Sequence, residues 1–171
     1  VKGERVALID VVKAWNEEEF ALFPRRAGGD GCMSPATTFG DLSLYLKARL
    51  FKYVSELMPY YPEIPVIVSD MAVKNPHLLR VKELFESFEA FKMIENFMVG
   101  AKKWREIHTV YDVACGHGLV GILLAYRFPA LDVVGVDVAV RPALAAWQTA
   151  FQQNGQKRPH WSSPLQNFGF V

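Results

Sequence analysis

Asp112-Val113-Ala114-Cys115-Gly116-His117-Gly118-Leu119-Val120-Gly121 is the stretch whose reading decides the fold. It joins two segments of different texture. Val110-Tyr111-Asp112-Val113-Ala114 is a short, β-prone run, and Leu119 to Phe128 is a compact helical pattern closed by Pro129. Glycines at 116, 118 and 121 form G-x-G-x-x-G between them. Without a Cβ, the backbone there turns tightly and its amides stay open to a ligand. A helix that opens at such a turn offers unpaired N–H groups and the positive end of its dipole.

Outward toward the C-terminus, Asp132-Val133-Val134-Gly135-Val136-Asp137 reads as a second strand. Arg141-Pro142 fits the first turn of an Ala- and Gln-rich helix over 142–153, which ends at Asn154-Gly155. A third strand begins near Phe168-Gly169-Phe170-Val171. Strand, glycine turn, helix, strand, helix is a βαβα unit, and such units build parallel sheets with right-handed crossovers.

Toward the N-terminus, residues 1–100 read as helical with long joints. Val6, Ile9, Val12 and Trp15 recur at about one helical turn, ahead of Glu17, Glu18 and Glu19. Residues 24–40, with Gly28, Gly29, Gly31 and Pro35, read as a loop. Asp41 is the expected N-cap of a helix carrying Tyr45, Leu46, Leu50, Val54 and Leu57. Pro59, Pro62 and Pro65 predict an extended segment, with Pro65-Val66-Ile67-Val68 as a short strand. Asn75-Pro76 is the expected start of a helix whose Val81, Leu84, Phe85, Phe88, Phe91, Ile94 and Met98 form a core stripe, stopping at Gly100.

The two acids beside the glycines carry the chemistry. Asp137 follows Gly116 by 21 positions and ends the second strand. In a parallel sheet its carboxylate lies beside the turn, where it can accept both hydroxyls of a ribose. Asp112 lies four residues before Gly116. An acid there opposes the pyrophosphate of a dinucleotide, whereas the sulfonium and ammonium of S-adenosylmethionine (SAM) would be drawn to it. Capping of local turn amides is an equal reading of Asp112. His117 can touch a ligand or act as a base, but its plainer reading is a solvent-facing turn residue. His77, His108 and His160 are scattered without ligand spacing, so no metal site is expected.

Residues 111–118 resemble the first motif of the class I SAM-dependent methyltransferases, an acid followed by a glycine-rich loop. Val134-Gly135-Val136-Asp137 resembles their second. The resemblance covers roughly residues 107–155. It implies that Asp112, Ala114, Gly116 and Gly118 line the methionine side of SAM, with His117 in the same turn. It further implies that Asp137 binds ribose and that Val138 lies near adenine. Ala114 stands where the family frequently has glycine. The implied fold class is α/β: a partial Rossmann-like parallel sheet of the methyltransferase type, after a mainly helical N-terminal region. Residues 1–100 would be the extension, and 101–171 the N-terminal part of a domain whose full sheet has seven strands. The family's later Asn-Pro-Pro-aromatic loop is absent, and no catalytic base or methyl acceptor is indicated. The expectation is a fragment of a longer enzyme, inactive as 171 residues alone. The alternatives are a non-catalytic subunit retaining the fold in a larger assembly, and an NAD(P)-dependent oxidoreductase. So short a parallel sheet leaves an open edge and apolar surface, to be covered by a further part of the protein, by other protein chains or by the N-terminal helices.

Composition bounds the rest. A length of 171 residues suits one domain, or one domain plus an extension. At 51% hydrophobic and 22% charged residues the chain is in the globular range, not the disordered one. A net charge of +1 excludes a strongly basic nucleic-acid binder and an acidic tail. Lys102-Lys103-Trp104-Arg105 suits an RNA backbone with Trp104 stacking, or more plainly a solvated helix end; Lys157-Arg158-Pro159-His160-Trp161 reads alike. Cys32 and Cys115 make neither a disulfide framework nor a zinc motif, which points to thiols in a reducing, intracellular compartment. No apolar run approaches the ~18 residues of a membrane span. The start at Val1 suggests a processed or partial chain, and no signal peptide is recognisable.

Overall fold

The valine-rich runs do pair. In the computed structural model, which describes residues 36–102, 105–155 and 165–171, β1 (Thr109–Val113), β2 (Asp132–Val136) and β3 (Phe168–Phe170) form a parallel sheet in the order β1-β2-β3. Asp112 lies beside Gly135 and Val113 beside Val136, while Val133 lies beside Phe168. The described residues also form five α-helices: α1 (Leu44–Leu57), α2 (Glu63–Lys74), α3 (Val81–Gly100), α4 (Leu119–Arg127) and α5 (Pro142–Asn154). The described residues are therefore a mixed α/β structure. Residues 1–35 lie outside them, and with them the helix and acidic run proposed for 6–19, most of the 24–40 loop, and Cys32. Lys103, Trp104 and Lys157–Trp161 lie outside them too.

Alternation along the strands divides the sheet into two unlike faces. Val110, Asp112, Val133, Gly135, Phe168 and Phe170 share the face on which α4 packs. Tyr111, Val113, Val134 and Val136 share the other, where Tyr111 is 65% and Val113 72% exposed. The apolar surface expected of a short parallel sheet is thus present, on the face that no described helix covers.

A second helical layer covers α4 and α5. α3 packs on α4, α2 on α5, and α1 on α2. One buried cluster runs through all of them, from Phe39 and Leu50 through Phe88 and Phe91 to Ile122, Val133 and Phe151. Each large apolar side chain fully buried there contributes about 1.5–3 kcal/mol. Val81, Leu84, Phe85, Phe88, Phe91 and Met98 of α3 are core, as their spacing predicts.

Polar contacts set how the layers meet. Glu95 on α3 is only 7% exposed. Its carboxylate accepts from the Tyr61 hydroxyl, from Nε of Arg127 on α4 at 2.8 Å and from Nζ of Lys92 at 2.7 Å. The Tyr126 hydroxyl donates to Glu63, and Lys74 Nζ to Gln153 Oε1 at 2.8 Å. Asn167, just before β3, donates to the carbonyls of Ala125, Phe128 and Leu131 and so closes the C-terminal end of α4.

Three expectations for the helical region are corrected. Residues 65–68 are helical, not a strand, and the prolines do not impose an extended segment. Pro65 falls in the first turn of α2, where an amide hydrogen needs no partner. Burial of Ile64, Ile67, Val68, Met71 and Ala72 along one face then favours helix over the β tendency of the valines. Asp41 does not cap α1: its carboxylate is taken by the Thr38 amide and hydroxyl, both at 2.8 Å, and Ser43 caps instead. Asn75-Pro76 ends a helix rather than starting one. The Asn75 amide donates to Met71, and its carbonyl accepts from Leu78 and Leu79. That turn buries Leu79 and delays α3 to Val81, whose amide donates to Thr37.

Burial alone would push the Glu95 carboxyl up, yet the bonds from Lys92, Tyr61 and Arg127 together hold it below its ordinary value of 4.5. A lowered value in the folded state means stability that is present above 4.5 and lost as the pH falls through the folded value. Replacing Glu95 by Gln should therefore destabilise the chain by about 1–3 kcal/mol at neutral pH. The gap between parent and variant should shrink on acidification below 4.5, read as urea midpoints across pH. A gap of constant size would contradict this.

Candidate functional site

The chain leaves β1 through a turn of alternating backbone hand. Ala114 has φ +58°, Gly116 +56° and Gly118 +71°. The glycines accept this freely, whereas at Ala114 the left-handed conformation costs about 1–2 kcal/mol. A glycine at position 114 would be free of that cost.

The three glycines of the motif serve different ends. Around Gly116 the space a Cβ would take is empty. A Cβ on Gly118 would collide with Leu144 of α5, and one on Gly121 would stand 2.9 Å from the Phe168 ring. Of the three, only Gly116 leaves its side-chain space open; the other two admit α5 and β3.

Both acids converge on this turn. Asp137, at the end of β2, accepts the Gly116 amide on Oδ2 at 2.8 Å and the Val138 amide on Oδ1 at 2.7 Å. The Gly116 bond is the main reason its carboxyl lies below the usual range, with the Val138 bond and the Arg141 charge adding to it. Asp112 points along the α4 face of the sheet and accepts the Gly121 amide at 3.0 Å. Capping is therefore realised for Asp112. Burial raises its carboxyl above the usual range, against the pull of that amide. Cys115 sits between the two acids as a free, half-buried thiol. Burial, then the charges of Asp112 and Asp137, push the thiol up, which leaves it a poor nucleophile at neutral pH.

His117 differs from the solvent-facing reading. Its side chain is 16% exposed and turns away from the sheet edge toward α3. There it lies in a small crevice with Leu78, Arg80, Glu83, Leu84, Leu119 and Trp147. Nδ1 accepts the Leu119 amide at 3.2 Å, and Nε2 lies 3.7 Å from Glu83 Oε2. Val138 stands at the opposite extreme, 98% exposed beside Asp137.

Of the sequence-predicted residues, Asp112, Ala114, Gly116, His117, Gly118, Asp137 and Val138 all belong to one turn or to the strand end beside it. His117 and Asp112 face inward, while Ala114, Gly116, Asp137 and Val138 form the open rim. Glu83, Leu144 and Phe168 escaped sequence reasoning, since nothing in their local sequence marks them as neighbours of this turn. Among the described residues no group of three His, Cys, Asp or Glu side chains is placed to hold a metal ion. No protein-family model, curated protein or solved structure matches the chain.

Two substitutions test the turn. Ala114→Gly should stabilise by about 0.5–1 kcal/mol, because relief of the left-handed strain exceeds the added chain entropy. Gly118→Ala should destabilise by roughly 2 kcal/mol or more, from the positive φ and the collision with Leu144. Denaturant midpoints that do not separate in this order would refute the assignment.

Proposed function

We propose that the chain carries the cofactor-binding portion of a Rossmann-like, class I SAM-dependent methyltransferase. The observation that supports it most is the Asp137 carboxylate at the end of β2, bonded to the amide of an uncovered Gly116. A carboxylate has about four acceptor sites, and the amides of Gly116, Val138 and Ala139 draw on Asp137 without exhausting them, so it can still accept from a ribose hydroxyl. The residues fit an adenosyl group in other respects. Val138 presents exposed apolar surface for a base, and exposed Ala114 with the open space at Gly116 leaves room for the methionine portion. Asp112, behind the turn, contributes negative potential toward a cationic ligand. SAM, when bound, supplies a methyl group on a positively charged sulfur. The chain's part is to hold the nucleoside at the sheet edge so that an acceptor can approach in line, which is where positioning governs such a reaction.

The dinucleotide alternative is disfavoured by two observations. The room beside Gly118 is taken by Leu144, and an acid stands where a pyrophosphate would add negative charge. The assembly reading has one observation in its favour, the bare face bearing Tyr111 and Val113. Parallel sheets are ordinarily covered on both faces, so that face suits further protein packed against it. The free Cys115 thiol suits a reducing compartment. Among the described residues no helix is long and apolar enough to cross a membrane.

Calorimetric titration of the chain with SAM and separately with NAD tests the proposal. SAM should bind and NAD should not. Asp137→Asn keeps one oxygen for the Gly116 amide but loses the charge, and it should weaken SAM by at least about tenfold. Unchanged affinity in that variant would defeat the ribose assignment, and tighter binding of NAD would transfer the site to the oxidoreductase class.

A further inference from the structure

His117 has two partners that want different things from its ring. Nδ1 accepts the Leu119 amide, one of the first N–H groups of α4, so it must carry no proton. The ring proton then resides on Nε2, which faces Glu83 on α3. The neutral ring thus closes the glycine turn on one side and meets the helical layer on the other. A second proton would change this balance. Nδ1 would become a donor pointed at a donor, and the Leu119 bond would be lost. The Nε2 contact with Glu83 would become an ion pair and strengthen.

We infer that His117 is a positioning residue through which α3, by way of Glu83, sets the conformation of the glycine turn, so that ligand binding at Gly116 and Asp137 responds to the protonation of His117. This rests on the reading of the turn as a nucleoside site. The charged groups around the ring are few. From α3 Glu83 favours the protonated form, and Arg80, just before α3 and 3.1 Å from Glu83, opposes it. From β1 Asp112 favours it. Leu78, Leu84, Leu119 and, from α5, Trp147 bring no charge. Burial outweighs the acids and brings the ring below its ordinary value of 6.5, so the change falls on the acid side of neutrality. Gly116 lies next to His117 in the chain, and its amide holds Asp137, so a shift of the turn reaches the ribose acceptor directly.

Two measurements on the same chain decide the matter. The first follows the backbone amide signals of Gly116 and Leu119 by NMR as the pH falls, without ligand. Both should shift together with a midpoint below 6.5. In His117→Asn, whose side-chain oxygen can still accept from Leu119 but does not titrate, that transition should vanish. In Glu83→Gln it should move to lower pH. The second is SAM affinity across the same range, which should weaken roughly fivefold on passing the transition in the parent, the worth of one ordinary hydrogen bond, and stay flat in His117→Asn. Amide signals that do not move, or move equally in His117→Asn, would overturn the inference. SAM binding with the same pH profile in both proteins would overturn it as well. Amide transitions as described without any SAM binding would uphold the coupling of α3 to the turn and refute the SAM reading alone.

Discussion

The hydrogen bond from the Gly116 amide to the Asp137 carboxylate is the contact on which the candidate site depends. It spans 21 positions of chain and exists only because β1 and β2 lie side by side and run the same way. Parallel pairing brings the exits of both strands to one edge. The first exit needs a tight turn to enter α4, and the second ends in an acid that accepts an amide of that turn. The Cys115 amide donates to Val136, and Val171 to Gly135, so the three strand ends are laced at the same edge.

The helical region is tied to this edge by packing and by charge. Phe88, Phe91 and Leu84 of α3 share a core with Ile122 and Leu123 of α4. Buried apolar contact has no direction, so it does not choose how α3 lies on α4. Glu95 does: its bonds to Tyr61, Lys92 and Arg127 require one arrangement of α3, α4 and the segment before α2. Nearer the N-terminus of α3, Glu83 reaches His117. One helix thereby carries an acid that joins the layers and another that touches the glycine turn. Among the described residues the sheet is supported on this side, and its opposite face keeps Tyr111 and Val113 exposed.

Much of the α/β portion was legible in the sequence. The runs 110–114 and 132–137, the helix closed by Pro129 and the Arg141-Pro142 start all correspond to observed elements within a residue or so. Their signals are local: glycine, proline and alternating valines act through their own backbone. The helical region was harder for the same reason. Pro65 and the valines after it carry a β tendency, yet burial of Ile64, Ile67 and Met71 selects helix. Asn75-Pro76 has the chemistry of a helix start as well as of a turn, and burial of Leu79 selects the turn. Asp41 has a capping side chain, but Thr38 reaches it first.

The sequence by itself determined that residues 112–121 form a strand, a glycine turn and a helix, and that Asp137 closes the next strand. These are properties of short stretches, set by missing side chains, by fixed proline angles and by periodicity. Only the tertiary structure decided which glycine stays open. Leu144 and Phe168 occupy the room at Gly118 and Gly121, and both come from elsewhere in the chain. Only the tertiary structure turned His117 inward, because Glu83 and the apolar crevice around it are brought there by α3. A residue's type can announce what it is able to bond, but which partner arrives is settled by the packing of distant elements.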